Sequence, residues 1–291
     1  MIFQESIKRL QETIRYLCVE IGPRSYNDHE KLHQVAEYIS CCFKEYGCHV
    51  NEQSFVFRGN TYRNIIGSIP GSNKKEEMVV LGAHYDTVAN SPGADDNASA
   101  VAGLLEIARL ISKSRVASAV QFVAFALEEP PVYRTKNMGS YHYAQMLKKI
   151  RQKILGMICL EMIGYFVDSP GSQEFPLPFM KRKFSTKGNF IAAVGNLRSR
   201  KFTEMVKKGF KEGTNIPIFS YNALPVVIGI DFSDHWSFYK FGYRAVMITD
   251  TAFYRNPYYH TESDTYDTLD YERMAKVVHG VKAAVEYVRC P

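Results

Sequence analysis

The sequence predicts an α/β domain in which helices and strands alternate along the chain. From residue 98 onward, segments with the helical spacing of apolar residues alternate with short apolar runs typical of buried strands. The 291 residues contain no internal repeat and no change of composition, which favours a single domain over 1–291. Hydrophobic residues make up 46% of the chain and charged residues 23%, so a disordered or collagen-like chain is excluded.

Residues 1–45 predict two helices that pack on this domain. One apolar stripe runs from Ile7 to Leu17 and a second from Leu32 to Phe43, with Gly22-Pro23 between them. Short apolar or alternating runs bounded by Gly, Asn, Pro or Ser then predict strands at 50–57, 63–69 and 78–81.

The alternation that follows predicts the remaining elements of the domain. Helical spacing predicts helices at 98–112, 138–150, 203–213, 235–239 and 270–288. Apolar runs predict strands at 120–127, 155–162, 190–194, 225–228 and 245–249. Residues 168–187 are rich in Pro, Gly, Ser and charge and predict a long functional loop rather than a linker.

Charge and cysteine usage narrow the function classes. The chain has 36 Lys plus Arg and 30 Asp plus Glu, a net charge of +6, but its basic residues fall in short patches without a DNA-reading motif, so we expect no nucleic-acid partner. None of the six cysteines forms a C-x-x-C pair, which predicts reduced thiols. Because no signal peptide and no 18-residue apolar window is found, we expect a cytoplasmic protein without a membrane partner. The cysteines are Cys18, Cys41, Cys42, Cys48, Cys159 and Cys290.

Polar residues suited to metal binding cluster where predicted strands end and where a late loop precedes the last helix. Each cluster alone has an ordinary structural explanation, such as a strand-end hydrogen bond, a helix cap or a solvated turn. Together they offer nitrogen and oxygen ligands suited to Zn²⁺, with one glutamate left over as a general base. The clusters are His84-Tyr85-Asp86, Asp95-Asp96, Glu128-Glu129, Glu161 and Tyr259-His260.

The order of these motifs resembles a known enzyme family. H-x-D, G-A-D-D-N-A-S, E-E, E-M-I-G-Y, S-D-H and Y-H-T follow one another as in the zinc exopeptidases of peptidase clan MH, the family of bacterial leucine aminopeptidase. Relatives in that clan include glutamate carboxypeptidases and glutaminyl cyclases. The resemblance runs from Asn64 to Thr265 and implies a single three-layer αβα domain with a mixed, mostly parallel central sheet.

The resemblance also implies a metal centre with two Zn²⁺ ions per chain. His84 and Glu161 would bind one ion, Glu129 and His260 would bind the other, and Asp96 would bridge both. Many aminopeptidases of the family have Asp at the position of Glu161, so the geometry around that ion is left open.

Three further residues receive catalytic roles from the resemblance. Glu128 would be the general acid/base, Asp86 would orient His84, and Tyr259 would donate its hydroxyl to the oxyanion. At Ala100 many of these aminopeptidases have Gly.

The function predicted from these residues is an aminopeptidase that hydrolyses N-terminal residues from peptides with a free N-terminus. A glutaminyl-cyclase-like acyltransferase, a carboxypeptidase or amidohydrolase, and a non-catalytic binding relative remain as alternatives. The oligomeric state and the side-chain preference stay open. Residues 168–187 and 222–234 and three aromatic residues are expected to shape the pocket: Phe253, Tyr254 and Tyr258.

Other histidines and cysteines could mimic metal sites. Residues 29–33 spell H-E-x-x-H, a motif that on a helix could bind zinc through His29 and His33. The helix must bury its apolar stripe, however, and no third ligand follows nearby, so we expect both histidines to be partly exposed at the helix edge. Cys41, Cys42, Cys48 and His49 lack the spacing of a zinc knuckle. His142 and His279 lie on predicted helices and are expected to be surface or packing residues.

Overall fold

A computed structural model describes residues 2–72, 77–114 and 118–288. Its centre is a single sheet of eight strands in the order β1-β2-β4-β3-β5-β8-β6-β7. The strands are β1 (His49–Phe57), β2 (Asn60–Ile69), β3 (Met78–His84), β4 (Ala119–Phe125), β5 (Ile154–Glu161), β6 (Ile191–Asn196), β7 (Ile218–Ala223) and β8 (Ala245–Thr249).

The direction of the strands determines where their ends meet. β4, β3, β5 and β8 are neighbours in the sheet and run parallel to one another. β6 and β7 are parallel to each other, whereas β1–β2, β2–β4 and β6–β8 pair in antiparallel fashion. The predicted mixed, mostly parallel sheet is therefore confirmed. The carboxyl ends of β3, β4, β5 and β8 lie along one edge, where open α/β sheets bind ligands.

Helices cover both faces of the sheet, as the three-layer prediction requires. The larger apolar cluster joins one face of the sheet to α1, α2, α3, α5 and α7, and the smaller cluster joins the other face to α4 and α6. Alternate residues of β3 divide between the two clusters, with Val79 and Leu81 in the first and Val80 in the second, because successive strand side chains point to opposite faces. The helices are α1 (Ile2–Arg15), α2 (His29–Glu45), α3 (Ala100–Ser112), α4 (Gly139–Lys149), α5 (Arg200–Gly213), α6 (His235–Lys240) and α7 (Tyr271–Val288).

One predicted strand is wrong. Residues 225–228 form turns, and the strand of this region is β7, which ends at Ala223. Pro225 has no N–H to donate to a sheet ladder, and the apolar side chain of Val226 is 83% exposed instead of buried. The apolar run was therefore a misleading strand signal.

The two N-terminal helices pack on the same face as α3 and α7. Leu10 and Ile14 of α1 and Val35 and Ile39 of α2 are fully buried in the larger cluster. Ser6 Oγ donates a hydrogen bond of 2.5 Å to Glu106 of α3, which ties α1 to the body of the domain. No helix within the described ranges is both long and apolar enough to cross a membrane.

The cysteines of the described ranges are unpaired. Cys159 is fully buried in β5, Cys41 is exposed, and the other three are buried in or beside α1 and α2. Cys290 lies outside the described residues.

Candidate metal centre and active site

The sheet edge formed by β3, β4 and β5 collects the predicted site residues. His84 is the last residue of β3 and Glu161 the last of β5, while Glu128 and Glu129 follow β4 after two intervening residues. Asp96 lies in the irregular turn Ala94–Ser99 before α3, where its backbone leaves helical geometry. The strand directions therefore bring residues that are far apart in sequence to one place.

The first group of potential ligands surrounds the Nε2 atom of His84. This atom lies 3.4 Å from Asp96 Oδ1 and 3.3 Å from Glu161 Oε2. All three side chains are buried, and their donor atoms lie within 4.8 Å of one another. A nitrogen and two carboxylate oxygens at these separations could converge on one cation.

The second group shares Asp96 with the first. His260 Nε2 lies 3.1 Å from Asp96 Oδ2 and 3.3 Å from Glu129 Oε2, again with all three donor atoms within 4.8 Å. The two oxygens of Asp96 thus face different histidines. This carboxylate has the geometry of a bridge between two neighbouring cation positions.

Several donor atoms in these groups have no hydrogen-bond partner among the described residues. They are His84 Nε2, Asp96 Oδ1, Glu129 Oε1 and His260 Nε2, and all four are buried. An unpartnered buried polar atom is costly, so four of them converging in one place fit a site that binds cations. The donor set of imidazole nitrogens and carboxylate oxygens is one that zinc accepts.

The Asp86 carboxylate holds the acidic pair that follows β4. Asp86 Oδ1 accepts the backbone N–H of Glu128 at 3.0 Å, and Oδ2 accepts that of Glu129 at 3.1 Å. Asp86 Oδ1 also lies 3.4 Å from His84 Nδ1, and the Asp86 carbonyl oxygen lies 3.2 Å from the same nitrogen. One buried side chain therefore orients a histidine and fixes the position of two glutamates.

Burial and neighbouring charges shift the ionisation of the cluster. Burial alone would lower the pKa of His84, but the charge of Glu161 and the contacts with Asp86 and Asp96 raise it well above its usual value. Burial would also lower the pKa of His260, but the nearby Asp96 and Glu129 carboxylates outweigh this effect and raise the pKa to about 10. Without a cation the site therefore retains protons that a bound metal would displace.

The carboxylates of the cluster differ in the direction of their pKa shifts. Burial, with the charge of Asp96, raises the pKa of Glu129 to about 8. Burial also raises the pKa of Glu128 well above its usual value, an effect that the charge of His84 opposes and those of Glu129 and Glu161 reinforce. Burial would raise the pKa of Asp96 as well, but the contacts of this carboxylate with His260 and His84 hold its pKa below the usual value. Asp96 is thus the carboxylate most firmly held in its charged form.

Glu128 differs from the other carboxylates in its contacts. Its Oε2 atom lies 3.9 Å from His84 Nε2, farther than the oxygens of Asp96 and Glu161, although it can join His84 and Glu129 in a third potential donor group. Glu128 also lines the cavity beside the cluster. Its position suits a group that faces a substrate at the edge of the donor groups.

Glu161 has two hydrogen-bond donors that the sequence did not reveal. Ser233 Oγ donates to Glu161 Oε2 at 2.6 Å, and Asn97 Nδ2 donates to the same oxygen at 3.3 Å. Ser233 belongs to the S-D-H motif and Asn97 to the G-A-D-D-N-A-S motif, but the sequence assigned no role to either residue. These contacts fix the longer Glu side chain at this position.

Tyr259 stacks on His260. The ring centroids lie 3.7 Å apart and the rings are nearly parallel, at 19°. Burial raises the pKa of Tyr259, and the charges of Asp96 and Glu129 add to the effect, so its hydroxyl remains a neutral donor. Tyr259 also lines the cavity next to the acidic cluster.

A cavity of about 370 Å³ is lined on one part by the acidic cluster, and the rest of its lining forms a mainly apolar chamber. Residues of the predicted loop 168–187 and of the segment 222–234 line it, as do Phe253 and Tyr254. Tyr258 instead packs edge-on against Tyr165 and is not among the lining residues. The aromatic wall consists of Phe175, Phe184, Phe190, Phe219, Phe232 and Phe253.

The other histidines do not enter a metal-binding group within the described residues. His33 is exposed and its Nδ1 lies 3.1 Å from the guanidinium of Arg63, while His29 packs against the ring of Tyr62. His142 stacks on Phe55 and His279 packs beside Phe3. These contacts agree with the helix-edge positions predicted for His29 and His33 and with the surface or packing roles predicted for His142 and His279.

Comparison with known proteins places the chain in a family. The model of peptidase family M28 matches residues 64–285. The chain belongs to peptidase family M28. The predicted resemblance to the zinc exopeptidases of clan MH is therefore confirmed.

Individual relatives support the same placement. The chain is 40% identical to the uncharacterized protein YfbL of Escherichia coli (strain K12) over 284 residues, which are 95% of this chain and 86% of YfbL. It is 28% identical to the probable leucine aminopeptidase 1 of Trichophyton verrucosum (strain HKI 0517) over 245 residues, 77% of this chain but only 58% of that protein. The chain thus spans little more than half the length of this fungal relative.

A solved structure shares the fold. The zinc aminopeptidase BSAP from Bacillus subtilis superimposes with a TM-score of 0.75 at 18% identity, covering 96% of this chain and 94% of BSAP. This M28 peptidase therefore has the architecture of a zinc aminopeptidase over nearly its whole length.

Proposed function

We propose that this M28 peptidase is a dizinc aminopeptidase that removes large apolar residues from the free N-terminus of peptides. The observation that carries the proposal is the pair of three-residue donor groups that share Asp96. His84, Asp96 and Glu161 would hold one Zn²⁺, and Asp96, Glu129 and His260 would hold the other. Zinc held in this way supplies Lewis-acid polarisation of a carbonyl and lowers the pKa of water toward neutrality.

Glu128 is the general base in this proposal. It takes the proton of the attacking water and returns it to the leaving amine, a role that its place in the cavity wall supports. Burial and the charges of Glu129 and Glu161 raise the pKa of Glu128, which strengthens this carboxylate as a proton acceptor. Asp86 keeps this base in place through the backbone N–H of Glu128.

Tyr259 stabilises the charge that develops on the substrate. Its neutral hydroxyl donates a hydrogen bond to the oxyanion of the tetrahedral intermediate. The stacking of Tyr259 on His260 restricts the ring that carries the donor. A donor fixed before the reaction need not reorganise during it.

The cavity supports a substrate whose free N-terminal amine lies beside an apolar side chain. Glu128, Glu129 and Glu161 line one part of it, where the amine would approach the proposed metal centre, and much of the remaining lining is aromatic. Loop 168–187 forms part of the rim and is anchored inside the fold, because Arg255 Nε donates to the buried Gln173 Oε1 at 2.8 Å. A cavity of about 370 Å³ has room for a phenylalanine or leucine side chain.

The proposal is tested with a panel of aminoacyl p-nitroanilides, each paired with its counterpart blocked at the amine. The protein is freed of metal, reconstituted with Zn²⁺, Co²⁺ or Mn²⁺, and assayed with both forms of each substrate. We expect hydrolysis of free-amine substrates with large apolar side chains and little turnover of the blocked forms. Efficient cleavage of the blocked forms would instead indicate a carboxypeptidase or amidohydrolase.

A glutaminyl-peptide substrate in the same panel separates hydrolysis from acyl transfer. Release of pyroglutamyl peptide without cleavage of any p-nitroanilide would contradict the aminopeptidase proposal and indicate a cyclase. The two complete donor groups around Asp96 support hydrolysis.

A further inference from the structure

The turn that carries Asp96 is held by a second carboxylate, Asp264. The backbone N–H of Asp95 donates to Asp264 Oδ1 at 2.9 Å, and the backbone N–H of Asp96 donates to Oδ2 at 3.1 Å. The N–H of Ala94 donates to the Asp264 carbonyl oxygen at 3.1 Å. Three consecutive backbone donors of the turn Ala94–Ser99 are therefore accepted by one fully buried residue.

Asp264 also connects this turn to the loop that carries His260. Its own backbone N–H donates to the carbonyl oxygen of Thr261 at 3.2 Å. Asp264 thus sits between two segments that each supply a ligand of the second donor group. The distance of 3.1 Å between His260 Nε2 and Asp96 Oδ2 depends on how these segments are held relative to each other.

The same arrangement occurs at the other acidic pair of the cluster. Asp86 accepts the consecutive N–H groups of Glu128 and Glu129 with its two oxygens, just as Asp264 accepts those of Asp95 and Asp96. Each acidic pair of the centre is therefore fixed by a two-oxygen contact from a separate buried carboxylate.

We propose that Asp264 is a positioning residue that fixes the bridging carboxylate Asp96 and thereby sets the affinity of the centre for metal. The proposal rests on the proposed function in taking Asp96 as a metal ligand. Asp264 acts through Asp96 and has no place among the donor groups themselves. An amide at position 264 can accept only one of the two N–H groups, since its NH₂ group would face the other donor.

The test compares Asp264→Asn with Asp270→Asn. Asp270 is a matched control because its carboxylate also accepts a backbone N–H, that of Arg273 at 2.9 Å, but at the start of α7, and it accepts no N–H of the Asp96 turn and belongs to none of the donor groups. Zinc affinity is measured by competition with a chromophoric chelator. Loss of a group that orients a metal ligand costs about 10- to 100-fold in affinity, so we expect a loss of this size for Asp264→Asn and none for Asp270→Asn.

A spectroscopic readout separates positioning from a general loss of structure. In the Co²⁺-substituted protein, the visible absorption reports ligand geometry, and we expect it to change in Asp264→Asn but not in Asp270→Asn. Asp264→Glu keeps both acceptor oxygens and should recover part of the zinc affinity. If Asp264→Asn does not fold, the affinity and spectrum of Asp264→Glu are compared with wild type, and we still expect both to be altered.

Two results would overturn the proposal, and they differ in meaning. Wild-type zinc affinity and an unchanged cobalt spectrum in the Asp264 variants would show that Asp264 does not position Asp96, while the metal centre stands. A wild-type protein that binds no zinc would remove the proposed function itself, and the positioning role with it.

Discussion

If the apolar chamber binds the substrate side chain, a larger residue in its wall should selectively remove activity on substrates with large side chains. Ala192 of β6 lines the chamber, whereas its neighbours Ile191 and Ala193 pack in the core on the other side of the strand. Ala192→Phe therefore places an aromatic ring where a large substrate side chain would lie. Burying a phenylalanine or leucine side chain stabilises a complex by about 1.5–3 kcal/mol, so displacing it corresponds to roughly a 10- to 150-fold loss.

The assay for Ala192→Phe is the ratio of kcat/KM for L-phenylalanine p-nitroanilide to that for L-alanine p-nitroanilide. We expect this ratio to fall by about 10- to 150-fold, because the alanine substrate does not need the chamber. Hydrolysis of the alanine substrate and the melting temperature serve as internal controls for metal binding and folding. An unchanged ratio in a folded, metal-loaded variant would refute the assignment of the chamber to the substrate side chain.

Three further predictions concern stability. Burial lowers the pKa of His235 from 6.5 to about 4, so the free energy of unfolding that this neutral histidine contributes is lost as pH falls from 6.5 through about 4. In urea titrations at several pH values, His235→Gln should reduce the acid-induced loss of unfolding free energy by about 3 kcal/mol. An unchanged pH dependence would contradict this. Arg109 forms an ion pair of 2.7 Å with the buried Glu106. Arg109→Met should lower the free energy of unfolding by about 3–5 kcal/mol, because it leaves the buried charge of Glu106 without its ion-pair partner. The double variant Arg109→Met/Glu106→Leu should recover most of that free energy. Removal of metal by a chelator should lower the melting temperature, because free metal at 100 times its Kd stabilises the fold by about 2.7 kcal/mol; identical melting curves with and without chelator would argue against a metal site.

Sequence patterns predicted the sheet and its ligand-bearing edge well, for a physical reason. β8 lies where the apolar run placed it, at Ala245–Thr249, and the carboxyl ends of parallel strands must meet at one edge. Potential ligands at the ends of buried strands could therefore be grouped from the sequence, and the structure brings His84 into one donor group with Glu129 and into another with Glu161.

Features that depend on tertiary contacts could not be predicted in this way. Ser233 meets Glu161, and Asp264 meets the Asp96 turn, only because separate loops converge, and a polar residue in a loop carries no local signal of its partner. The misassigned strand has a similar origin, since residues 225–228 are apolar yet lie in turns that border the cavity. The aromatic wall likewise draws on segments far apart in the chain.

The measurement that tests the proposed mechanism most directly is the activity of Glu128→Gln with its metal content determined on the same sample. Because Glu128 is assigned as the base and not as a ligand of either ion, we expect the variant to retain two zinc ions per chain, as in wild type. Its kcat/KM for an apolar aminoacyl p-nitroanilide should fall by about 10²- to 10⁴-fold. A fully metal-loaded Glu128→Gln protein that hydrolyses the substrate at the wild-type rate would contradict the mechanism.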